Sequence, residues 1–239
     1  MPPTVEQNVA VGEEVRTSIK LIEAGLKQLQ RIDGANDFYH LPMLLLASGF
    51  ERLMKTIVCF HTLHERGEYP ARNAFPRGRT GHDLTRLLNK ITQECFSEAY
   101  LNRVPAARQD VEYLRNDSRL RELVRILSDF GQAARYHNLD IVLGGSPTTL
   151  SAEQQWEQVE LAILREDDDW AEQLKAPVNT DKLYKRITTD LVVRLEMFAR
   201  ALTRLFTIGG LGDEAKRHTG TIQPFLFLRD AELGKRVYK

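Results

Sequence analysis

The sequence predicts an all-α fold, a helical bundle, and three observations carry that prediction. Apolar residues recur at three- and four-residue intervals through most of the 239 residues. No stretch alternates apolar and polar residues long enough to build a sheet face. Breaker clusters separate the periodic segments: DGAND at 33–37, GEYPARNAFPRGRTG at 67–81, GGSPTT at 144–149 and IGGLGD at 208–213.

Taken in order, the first helix carries Val15, Ile19, Ile22, Leu26 and Leu29 on one face. The second starts near His40, where Pro42 is tolerated in the first turn, and continues through Met43, Leu46, Phe50, Leu53, Ile57 and Phe60, with His64 next on the seam. The segment 67–81 is a loop. Leu84, Leu87, Leu88, Ile91 and Cys95 define a short third helix. A fourth seam, Leu120, Leu123, Leu127, Phe130 and Ala134, lies between about 108 and 143 and projects onward to His137 and Ile141; Asp117 or Ser118 starts or interrupts it. Ser151 and Gln154 have capping-box spacing and open a fifth helix through Trp156, Val159, Ile163 and Trp170. A sixth runs over about 181–207 on Leu191, Leu195, Phe198, Leu202 and Leu205. The apolar run IQPFLFL at 222–228 is expected to dock as an extended segment.

Lysine plus arginine and aspartate plus glutamate number 33 each. No global positive field therefore advertises nucleic-acid binding, and any such contact is local. Cys59 and Cys95 fall in apolar helical patterns and read as reduced core thiols of a cytoplasmic protein. The start, MPPTVEQNVAVGEEV, lacks a basic region followed by an apolar block, and the run LPMLLLASGF at 41–50 is closed by Glu51 and Arg52. Neither a signal peptide nor a membrane span is expected.

Three segments, SGFERLMK at 48–55, TGHDLTRLL at 80–88 and SDFGQAARYHNLD at 128–140, in that order resemble the HEPN-like helical superfamily. The resemblance covers about residues 10–143. It implies a core of four to five helices, to which a helical extension at about 150–207 and a tail at 208–239 add within one domain. It also implies a homodimer in prokaryotic defence, stress or toxin-type RNA metabolism, with RNA or a nucleotide as ligand and an antitoxin-like protein as partner. Active members resembled here cleave RNA without a metal through an Arg-x(4 to 6)-His motif. There the guanidinium grips phosphate oxygens bidentately and the imidazole moves a proton at the ribose 2′-hydroxyl. No cofactor and no metal are expected; the other reading is a non-catalytic interaction or ligand-binding module.

The candidate catalytic residues are Arg135, His137 and His82, and the candidate phosphate-binding residues are Arg77, Arg79, Arg86 and Asn138. Arg77 and His82 have the motif's spacing but lie at the entry to the third helix. Arg135 and His137, with one residue between them, point about 200° apart on an ideal helix. His137 also lies on the apolar stripe, where a core histidine is expected. Thr80 and Asp83 have capping-box spacing, which would put His82 at the second helical position. Glu51 and Lys55, spaced i, i+4, form an ion pair, with Arg135 as another partner open to Glu51. His61 and His64 lack further ligands for a metal site, and the DDDW run at 167–170 reads as a solvated face or a dimer surface.

Overall fold

The computed structural model describes residues 2–33, 35–76, 78–145, 150–166, 180–208 and 210–238; the side chains of Arg79 and Thr180 fall outside that description, as do all of Arg77 and the DDDW run. Among the described residues the fold is all-α, with no strand and no helix long and apolar enough to cross a membrane. In chain order the helices are α1 (Val5–Leu29), α2 (His40–Arg66), α3 (Leu84–Glu94), α4 (Glu98–Arg103), α5 (Pro105–Asn116), α6 (Ser118–Gln132), α7 (His137–Val142), α8 (Ala152–Leu164), α9 (Thr180–Arg204), α10 (Gly212–Lys216) and α11 (Thr219–Leu226).

The predicted stripes form the core. Val15, Ile19, Ile22, Leu26 and Leu29 of α1 and Met43, Leu46, Phe50, Leu53, Ile57 and Phe60 of α2 are all buried, and the two helices pack along their lengths as an antiparallel pair. The pairing depends on two glycines. A Cβ added at Gly25 would lie 2.6 Å from Leu46 Cγ, and one at Gly49 would lie 2.8 Å from Ile22 Cγ1. Each glycine therefore lets the facing backbone approach to a distance that no side chain permits. α6 covers α2 and α3, while α9 crosses α2, α5 and α8, where Phe50 and Phe198 stack with ring centroids 4.4 Å apart.

Capping residues fix where several helices begin. Ser151 and Gln154 make the predicted capping box at α8. Asp117 caps α6 by accepting from Leu120 N at 2.7 Å and also receives Arg194 of α9, so one carboxylate starts a helix and pins another across it.

Four expectations are corrected. The seam is interrupted at Asp117 as expected, but it does not project onward as one helix: Ala133, with φ −150°, ends α6 before a 3₁₀ turn at Ala134–Tyr136 and the separate α7. Helical register is lost there, so Ile141 is exposed and His137 is half-buried at the surface instead of lying in the core. Asp83, not Thr80, is the N-cap of α3, because a 3₁₀ turn, Gly78–His82, occupies the preceding residues and places His82 before the helix. His64 is exposed against Gly212, and Leu63 takes the buried position on α2. Finally, 222–228 is not extended: α11 turns Ile222 and Phe225 into the core, and Leu228 is buried just beyond it.

Candidate functional site

A cavity of about 630 Å³ opens between the N-terminal half of α1, the middle of α2, the His82 turn and the end of α6. Its origin is simple. Ala10, Ala47 and Ser48 are small residues on facing helices, and Gly131 adds none of a side chain's bulk, so the bundle leaves space that larger residues would fill. Val11, Leu44 and Phe130 give it apolar walls, and Gln7, Glu51, Lys55, His82 and Arg135 give it polar ones. The volume lies within the range of small-ligand sites, where apolar walls and few polar groups are usual.

Glu51 organises the polar wall. Its two oxygens are divided: Oε1 accepts from Lys55 Nζ at 2.6 Å, and Oε2 lies 2.8 Å from His82 Nδ1. Lys55 is thus the ion-pair partner of Glu51, while Arg135 forms no ion pair among the described residues. With Nδ1–H donated to the carboxylate, Nε2 of His82 is the ring's free acceptor.

His82 is held in place by its neighbours on both sides. Gly81 packs so close to Pro76 that an added Cβ would lie 2.5 Å from the Pro76 carbonyl oxygen. Asp83 accepts from Arg86 N at 2.9 Å, and Ser128 Oγ of α6 accepts from Leu84 N at 3.0 Å. Gly131 of α6 packs beside His82: an added Cβ would lie 3.7 Å from His82 Cβ and from its carbonyl oxygen.

Arg135 differs from the other cations around the cavity. Arg52 is bound by Glu14 at 2.7 and 2.9 Å and Lys55 by Glu51. The Arg135 guanidinium lies 5.0 Å from the Tyr136 ring centroid, and its Nε is buried with no hydrogen-bond partner. A buried donor without a partner costs roughly 1–3 kcal/mol. Cys59 also lines the cavity, half-buried, but burial pushes its thiol up to about 11, so it is no nucleophile near neutrality.

Glu51, His82 and Arg135 therefore meet around one hollow. His137 and Asn138 do not face it; they line an adjacent, smaller cavity of about 260 Å³ that Arg135 and Phe130 also border. Arg86 is exposed on α3 and away from both. Among the described residues no group of three His, Cys, Asp or Glu side chains is placed to hold a metal ion. The residues contributed by α1, together with Tyr69, whose hydroxyl donates to Asn8 Oδ1 at 3.1 Å, were not legible as site residues. Their one sequence signal is Ala10, a small residue that leaves space on the α1 side of the cavity. Comparison with protein-family models, with curated proteins and with solved structures returns no match to this chain.

Proposed function

We propose that this protein is a HEPN-like helical protein of RNA metabolism whose larger cavity takes a phosphate ester of nucleotide size. One observation carries the reading: Arg135, a cation with no carboxylate partner, borders the same cavity as the His82–Glu51 pair. A guanidinium is suited to phosphate oxygens, and an imidazole oriented by a carboxylate is suited to moving a proton. In the reaction, His82 Nε2 takes the proton of a ribose 2′-hydroxyl and the 2′-oxygen bonds to phosphorus. The P–O5′ bond then breaks, the 5′-oxygen gains a proton, and a 2′,3′-cyclic phosphate remains. Neither a metal nor a redox partner is required. The test is cleavage of short RNA in EDTA by the purified protein, its His82→Ala variant and its Arg135→Ala variant. Activity lost in both variants, with the melting temperature retained, supports the reading; activity equal in all three defeats it.

A second reading, ligand binding without turnover, is favoured by the charge around the cavity. Glu14 and Glu51 offset Arg52 and Lys55, leaving one uncompensated cation and no basic track for a long polyanion. A nucleotide retained stoichiometrically and unchanged would select it.

A further inference from the structure

The two cavities that meet at Arg135 have complementary properties. Phe130 and Arg135 border both. At about 630 Å³ the larger is the size of an independent ligand site, whereas at about 260 Å³ the smaller falls below that range and is an annex. His82 is on the larger side and His137 on the smaller. His40 lies edge-on to Phe130 at 4.9 Å and lines the annex with His137, Asn138 and Glu153. In the annex the fixed charges of Glu153 and Arg135 cancel, so further positive charge there comes only from a protonated histidine. A neutral group is the better occupant. The larger cavity, in contrast, has one cation in excess.

We infer that the cavities form one site for a dinucleotide step, with the bridging phosphate on Arg135, the nucleoside bearing the attacking 2′-hydroxyl in the larger cavity and the leaving nucleoside's 5′-oxygen in the annex. This rests on the phosphate-ester reading above and adds a role to His137: it donates the proton that the 5′-oxygen takes up as the P–O5′ bond breaks. His82 gains a proton and His137 loses one, so the two exchange states over the reaction and water restores them. The arrangement also accounts for a puzzle in the sequence. Arg135 and His137 diverge on an ideal helix, but the chain leaves α6 at Ala133 and both border the smaller cavity.

The experiment varies the leaving group, because a protonating acid matters only when the leaving oxygen is basic. The full chain is assayed on uridylyl-3′,5′-adenosine and on uridine 3′-(4-nitrophenyl phosphate), whose phenolate departs without a proton. The expected result is that His137→Ala lowers kcat on the dinucleotide at least 100-fold, the usual scale of acid catalysis, and changes the aryl ester less than threefold. His82→Ala impairs both. Equal loss of both substrates in His137→Ala, or no loss of either, overturns the role of His137 and leaves the phosphate-ester reading standing. Failure of the unmodified protein to cleave either substrate overturns both. Circular dichroism on each variant checks that α7 and the fold persist.

Discussion

Nδ1 of His82 lies 2.8 Å from Oε2 of Glu51, across 31 residues of sequence. That contact joins the turn before α3 to the middle of α2, and Lys55 holds the other oxygen of the same carboxylate. Glu51→Gln keeps the side chain's size but removes the charge that orients the imidazole. We expect RNA cleavage to fall by roughly one to three orders of magnitude, less than the loss in His82→Ala. Because the His82 side chain is 39% exposed, solvent screens the pair and the melting temperature should move little. Steady-state kinetics and thermal melts on the same preparation separate the two effects.

Gly49→Ala should be destabilising out of proportion to its size. The new methyl would meet Ile22 Cγ1 at 2.8 Å and the Ile22 backbone nitrogen at 3.0 Å, and the backbone cannot retreat without parting α1 from α2. Overpacking of this kind costs about 1–3 kcal/mol, against a helix-propensity gain of up to about 1 kcal/mol. A melting point lowered by several degrees is expected, and one that rose would show that the interface yields.

Glu160 sets a pH dependence. It is buried on α8, where the Tyr39 hydroxyl and the Trp156 indole donate to it at 3.1 and 3.2 Å with no cation among its partners. Burial raises its carboxyl to about 7. The unfolded chain therefore ionises first, and stability falls as pH rises from the ordinary carboxylate range through about 7, then levels off. The drop from this group is on the order of 3 kcal/mol. Glu160→Gln should remove it, so that the variant is less stable than or equal to the parent at pH 5 and more stable at pH 8. Denaturant midpoints at both values test the crossover. Asp110 and Glu196 are raised by burial too and slope the same way, so the diagnostic quantity is the difference between parent and variant.

The C-terminal strap should contribute to global stability. Tyr238 donates its hydroxyl to Glu196 Oε1 at 2.7 Å, and Gly234 N donates to Oε2 at 2.6 Å, satisfying a fully buried carboxylate of α9. Tyr238→Phe removes one of those donors and should cost about 1–3 kcal/mol. Hydrogen exchange would show faster opening around 230–238 in the variant; unchanged exchange would mean the strap is held by other contacts, such as those of Gln30.

Particular residues show which features could be read from the chain. Val15 to Leu29, Met43 to Phe60 and Leu84 to Cys95 are buried as their spacing requires, because a period near 3.6 is a local property of the backbone. The Ser151 box is legible for the same reason, since cap and partner are three residues apart. Glu160 is not legible as a buried acid, although its i, i+4 spacing from Trp156 stands in the sequence. What makes it informative is Tyr39, 121 residues away.

The sequence by itself thus determined the longer helices and the faces they bury, and it placed the starts of α2, α6, α8 and α9, whereas the short α4, α7, α10 and α11 were not legible in it. Tertiary structure decided three things that no local pattern states: the end of α6 at Ala133, the close approach of α1 and α2 at Gly25 and Gly49, and the convergence of Glu51, His82 and Arg135. The physical reason is common to all three. A stripe specifies that a face must be covered, but which residues cover it, and where small ones leave a hollow, depends on the packing of segments far apart in the chain.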